Sequence, residues 1–167
     1  MQRRLLLMRH AQAAHGPVDA DRPLTEHGAE QAAALGRWLR QAELTPDRIV
    51  VSPARRAAQT WDRAAAQLTA SPAPITDGRI YDNTVEALFT VLQESPDDAG
   101  IVAVVGHNPS VGVLANVLDD GEGDPAARRN LHAGFPPGAV AVFAIETPYD
   151  ALAPGAATLT DLTVPRA

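Results

Sequence analysis

Apolar positions fall in short continuous runs separated by amphipathic stretches. Leu5 to Met8, Ile49 to Val51 and Ile101 to Val105 are such runs, and their length and turn-rich flanks predict strands buried on both faces. Between them the period changes. Behind Thr25 as N-cap, a helix to about Gln41 carries Ala29, Ala32, Leu35, Gly36 and Leu39 on one face, with Glu26 in its first turn. Ser52-Pro53 reads as N-cap and first helical residue of a second helix reaching about Thr69. Thr84 caps a third over 85–94, with Val85, Leu88, Phe89 and Leu92 at helical spacing, and Asn108-Pro109 opens a fourth through about Leu118. Residues 12–23, 71–78 and 119–138 read as loops, with room for a weak strand near Ile75 or Ile80. Ala139 to Glu146 and Ala157 to Val164 read as closing strands paired with each other.

Strands alternating with helices predict an α/β fold, a three-layer sandwich around a mainly parallel sheet, with the last two strands as an antiparallel edge. No repeat, low-complexity tract or linker divides the chain, so 1–167 reads as one domain. In such sheets ligands bind beyond the carboxyl ends of the strands.

Composition narrows the chemistry. The chain has 32 Ala and 14 Arg but no Lys and no Cys. Without cysteine there is no thiolate nucleophile, disulfide or thiolate metal site, and without lysine no Schiff base or phosphate-loop lysine. Positive charge in a working site must come from arginine or histidine. The net charge of −6 argues against a nucleic-acid or anionic-membrane surface. The apolar run near the start is too short for a secretory leader before Arg9 interrupts it, and the expectation is a cytoplasmic protein with no membrane span.

Three strand ends carry candidate chemistry: Arg9-His10, Ser52-Pro53-Ala54-Arg55 and Gly106-His107-Asn108-Pro109. Singly, a histidine in a turn is ordinarily a surface or capping residue, and an arginine in a helix's first turn is ordinarily solvated. Their convergence on one sheet edge fits phosphoryl transfer. Arginine binds phosphoryl oxygens in pairs while staying charged, helix N-termini present N–H groups to an anion, and neutral imidazole is a nucleophile at physiological pH.

Leu7-Met8-Arg9-His10, Arg22-Pro23-Leu24-Thr25-Glu26-His27-Gly28, Val51-Ser52-Pro53-Ala54-Arg55-Arg56-Ala57-Ala58-Gln59-Thr60 and Val105-Gly106-His107-Asn108-Pro109 together resemble the histidine phosphatase superfamily. The short length and the Arg-Pro-Leu-Thr segment look like its SixA-type phosphohistidine phosphatase branch. The resemblance implies a phosphoglycerate mutase-like fold and a phosphatase without metal or cofactor. It makes His10 the nucleophile, Arg9 and Arg55 the clamps on the non-bridging oxygens, and His107 a donor to them. Arg22 belongs to the same motif set and is a further candidate for substrate binding.

Two positions depart from the family pattern. Ala11 stands where glycine usually follows the nucleophile, adding a methyl group and disfavouring positive φ. The general acid has two candidates, Asp82 and Glu86, and either is equally readable as a helix-dipole carboxylate. A weak acid favours phosphohistidine, because imidazole leaves more readily than an alkoxide. The expected substrate is therefore a phosphorylated protein. A small-molecule phosphomonoesterase for sugar phosphates or nucleotides, and a non-catalytic phosphate- or phosphoprotein-binding module, remain open. His15, His27 and His132 read as surface or capping residues, and Trp38 and Trp61 as packing residues.

Overall fold

The computed structural model describes residues 2–166. Among them, six strands form one sheet: β1 (Arg3–Arg9), β2 (Arg48–Val51), β3 (Ile75–Thr76), β4 (Ile101–Gly106), β5 (Val140–Ile145) and β6 (Ala157–Thr163). Their order is β3-β2-β4-β1-β5-β6. The pairs β2/β3, β2/β4 and β1/β4 are parallel, and β5 runs antiparallel to both β1 and β6. The antiparallel edge is thus where the sequence puts it, with the added finding that β5 joins it to the parallel strands through β1.

The helices are α1 (Glu26–Gln41), α2 (Arg55–Ala65), the short α3 (Gly78–Tyr81), α4 (Val85–Gln93), α5 (Ser110–Leu118) and α6 (Pro125–Ala133). They cover both faces of the sheet. Leu5 and Leu7 of β1 pack on the face that also buries Leu88, Val111, Leu114 and Leu131, while Leu6 and Met8 pack on the opposite face against Leu35, Leu39 and Trp61. This is why the strand reads as an unbroken apolar run.

Some boundaries differ from expectation. Helix α2 is capped at Ala54 without a side-chain bond, later than Ser52, and ends at Ala65. The weak strand expected near Ile75 or Ile80 forms at Ile75 as β3, Ile80 lies instead in the short α3, and the whole of α6 falls in the segment 119–138 that reads as a loop. Asp124 caps α6 by accepting the Ala127 N–H, and Pro125 follows at the first helical position. Asp119, at the end of α5, turns back to Arg128 of α6 at 3.0 Å.

Helices α1 and α2 approach most closely at Gly36, where a Cβ would collide with the Ala64 carbonyl oxygen. Gly36→Ala is expected to force the two helices apart and to lower unfolding free energy by about 1–3 kcal/mol. Urea denaturation checks this, and an unchanged midpoint would show that the contact yields without cost.

The topology creates the crevice. Adjacent parallel strands β1 and β4 end in register, with Arg9 opposite Gly106, and β2 ends beside them, with Val51 opposite Val105. The helix after β1 lies on one face and the helix after β4 on the other, so the chain parts between these strand ends and leaves a gap there.

Candidate active site

A pocket of about 360 Å³ lies in that gap. Arg9 and His10 line it from the end of β1, His107 and Asn108 from the end of β4, and Arg56 from α2. Asp19 and Arg22 reach it from the β1–α1 loop, Tyr81 from the end of α3 and Asn83 from the α3–α4 connection.

His10 is 8% exposed, and its Nδ1 lies 2.7 Å from the Ala11 carbonyl oxygen. A carbonyl can only accept, so Nδ1 carries the proton and Nε2 keeps its lone pair. Burial lowers the His10 pKa to about 4 against the pull of that hydrogen bond, with Arg56, Arg9 and Arg22 lowering it further. The ring is therefore neutral at ordinary pH, with the Nε2 lone pair free. The following peptide is held too: the Ala11 N–H donates to Thr60 Oγ1 at 3.0 Å, and the Thr60 hydroxyl donates to the Arg56 carbonyl at 2.7 Å. Ala11 is fully buried and is not among the residues with positive φ, so alanine fits here without the left-handed backbone that would demand glycine.

His107 lies with its ring centroid 5.3 Å from that of His10, and the Tyr81 ring meets it edge-on at 5.7 Å. Burial, with His10 and Arg56 nearby, lowers its pKa to about 3. Arg9 donates to the Phe135 carbonyl at 3.0 Å. Among the described residues, Arg9 Nε and His107 Nδ1 are buried without a hydrogen-bond partner. Both atoms belong to side chains that line the pocket.

The arginine of α2 that lines the pocket is Arg56, not Arg55. Arg56 is 7% exposed, whereas Arg55 faces solvent. The reason is helical phase: the buried residues of α2 are Arg56, Ala57, Thr60, Trp61 and Ala64, and Arg55 lies off that stripe. Arg56 donates to the Asp19 carbonyl at 2.8 Å and to its carboxylate at 3.1 Å. Arg22 lines the pocket as expected, bonded to Asp19 Oδ1 at 3.1 Å and to the Ala14 carbonyl at 2.9 Å.

Neither acid candidate reaches the pocket. Asp82 and Glu86 are exposed, and it is the neighbours of Asp82, Tyr81 and Asn83, that line it. The short α3 turns Tyr81 inward, and Asn83, with φ of 63°, bonds the Asn108 carbonyl and the Ser110 N–H. Among the described residues the carboxylate lining the pocket is Asp19, which the sequence reading passed over. Bonds from Tyr81, Arg22 and Arg56 hold its carboxyl well below the usual range, so it stays ionised.

Helix α5 also contributes less than its N-terminus suggests. Its Ser110 N–H goes to Asn83 and its Gly112 N–H to Asn108, so these amides are already spent within the protein. An anion in this pocket would meet side chains instead.

Residues 5–80 match the profile of the histidine phosphatase superfamily, branch 1. Over the whole chain the structure superposes on that of a SixA from Nakamurella multipartitia with TM-score 0.87 and 31% identity, covering 100% of this chain and 98% of that one. The chain belongs to the histidine phosphatase superfamily. Within it, the structure of the protein histidine phosphatase SixA complexed with tungstate superposes with TM-score 0.79 at 25% identity, covering 97% of each chain. The phosphohistidine phosphatase SixA of Escherichia coli is 28% identical over 130 residues, covering 72% of this chain and 77% of its own. This histidine phosphatase is thus an enzyme of the SixA-type branch with the phosphoglycerate mutase-like fold. Among the described residues, no helix of the phosphatase is long and apolar enough to cross a membrane. His15, His27 and His132 are exposed and lie outside the pocket.

Proposed function

We propose that this phosphatase hydrolyses phosphohistidine on a protein, through a phosphoryl group carried on His10 Nε2. The observation that supports this substrate is the state of the pocket's carboxylate. Asp19 is tied as an anion to Tyr81, Arg22 and Arg56 and holds no proton to deliver. An alkoxide leaves slowly without a proton in the transition state, whereas the nitrogen of a phosphohistidine is basic enough to take one from water.

In the first step the Nε2 lone pair attacks phosphorus, the phosphorus–nitrogen bond of the substrate breaks, and the departing imidazole takes up a proton. Nδ1–H stays on the Ala11 carbonyl and shares the positive charge that phosphorylation puts on the ring. Arg9, Arg56 and Arg22 offset the charge on the three phosphoryl oxygens, and His107 donates to one of them. Water then attacks the phosphoryl group, releasing phosphate and returning His10 to its neutral form.

Steady-state rates on a phosphohistidine protein, aryl phosphates of graded leaving-group acidity and alkyl phosphates test this reading. Expected is kcat/KM highest for phosphohistidine and falling steeply as the ester leaving group becomes more basic. Equal or faster cleavage of sugar phosphates would overturn the assignment in favour of a small-molecule phosphomonoesterase.

A further inference from the structure

His107 is almost fully buried, and its Nε2 lies 2.8 Å from the hydroxyl oxygen of Ser52 at the end of β2. The distance alone does not say which group donates, but their other partners do. Ser52 is completely buried, and its Oγ already accepts the Ala54 N–H at 3.2 Å. Its N–H donates to the Val105 carbonyl at 3.2 Å, which fixes the end of β2 against β4. If the imidazole donated from Nε2, the serine proton would have no acceptor among the described residues and the Nδ1 lone pair no donor. If the hydroxyl donates to Nε2, a single group is left over, the Nδ1–H. Unmet buried polar groups are costly, so the second arrangement prevails.

We propose that Ser52 is a positioning residue whose hydroxyl fixes His107 as the Nδ1–H tautomer, making its ring a neutral donor for a phosphoryl oxygen in the pocket. The role in binding rests on the reading that this pocket receives a phosphoryl group; the tautomer does not. A neutral donor suits this site. It binds oxygen without adding a fourth cation beside His10, which would further weaken His10 as a nucleophile. Ser52 therefore serves the second histidine rather than acting as the helix cap that its place before Pro53 suggests.

Nitrogen-15 spectra of histidine-labelled full-length protein read the tautomer directly, with His107 assigned by the signals lost in His107→Gln. In the wild type, His107 is expected to show Nδ1 protonated and Nε2 bare. Ser52→Ala should move it toward the Nε2–H form and weaken binding of inorganic phosphate about tenfold. Ser52→Thr, which keeps the hydroxyl, should restore both. A wild-type His107 protonated on Nε2 overturns the proposal without any variant having to fold, and so does Ser52→Ala with unchanged spectrum and unchanged phosphate affinity. A wild type that neither binds phosphate nor turns over any phosphorylated substrate would instead refute the functional reading, while the spectrum of the unliganded protein still decides the tautomer.

Discussion

Replacing His10 with alanine is expected to lower turnover of phosphorylated substrates by more than about a thousandfold, since the group proposed to form the covalent intermediate is gone. Incubation with a labelled phosphate donor should leave the wild type carrying phosphate that is labile in acid and stable in base, and His10→Ala carrying none. The wild type should also show an unusual pH profile. The proposed nucleophile is the neutral ring, burial and three arginines lower the His10 pKa to about 4, and the lone pair is available above that value. The acid limb of kcat/KM is therefore expected near pH 4 rather than near the ordinary histidine value. A limb at the ordinary value would mean that His10 is not desolvated in the working enzyme, and persistence of labelled phosphate on His10→Ala would place the nucleophile elsewhere.

The second large effect separates two adjacent arginines. Arg56→Ala is expected to reduce kcat/KM by about a hundredfold to a thousandfold, the usual consequence of removing one preorganised donor from a developing oxyanion. Arg55→Ala, altering a solvent-facing side chain one residue earlier, should leave kcat/KM within about twofold. Arg56→Lys should recover little, because an ammonium cannot reproduce the planar fork that spans the Asp19 carbonyl and carboxylate. Equal losses at both positions would mean that the phase of α2 differs in the working enzyme.

How far the sequence could be read depended on whether a feature was local. Unbroken apolar runs marked β1, β2 and β4, and because parallel strands deliver their carboxyl ends to one sheet edge, Arg9, His10 and His107 were legible as one group from the sequence. Arg55 against Arg56 was also within reach. The spacing of Ala57, Trp61 and Ala64 marks the buried stripe of α2, and it is Arg56 that continues it; the Ser-Pro start signal pulled the helix too far forward. Helix α6 had a similar local sign, Asp124 followed by Pro125, but glycines surround it and it buries only Ala127 and Leu131, so its periodicity is faint.

Asp19 and Tyr81 were of another kind. They are 62 residues apart, one in a single turn of 3-10 helix inside a polar loop, and nothing near either of them signals the other. The pairing exists because the β1–α1 loop and the end of α3 meet over the same strand ends. Sequence reasoning looked for the carboxylate beside the third helix, where Asp82 and Glu86 stand, and the fold supplies it from the β1–α1 loop.

The burial of two uncharged histidines also makes the catalytic centre the place where acid acts on the whole molecule. In an unfolded chain both rings bind protons as pH drops through the ordinary histidine range; in the folded protein His10 resists until about pH 4 and His107 until about 3. Over that interval the unfolded state holds more protons, so each step toward acid shifts the balance toward unfolding, and the stability that these groups leave intact at neutral pH is lost as their folded values are approached. The neutrality that the proposed attack on phosphorus asks of His10 is thus bought with a narrower range of acidity in which the enzyme stays folded.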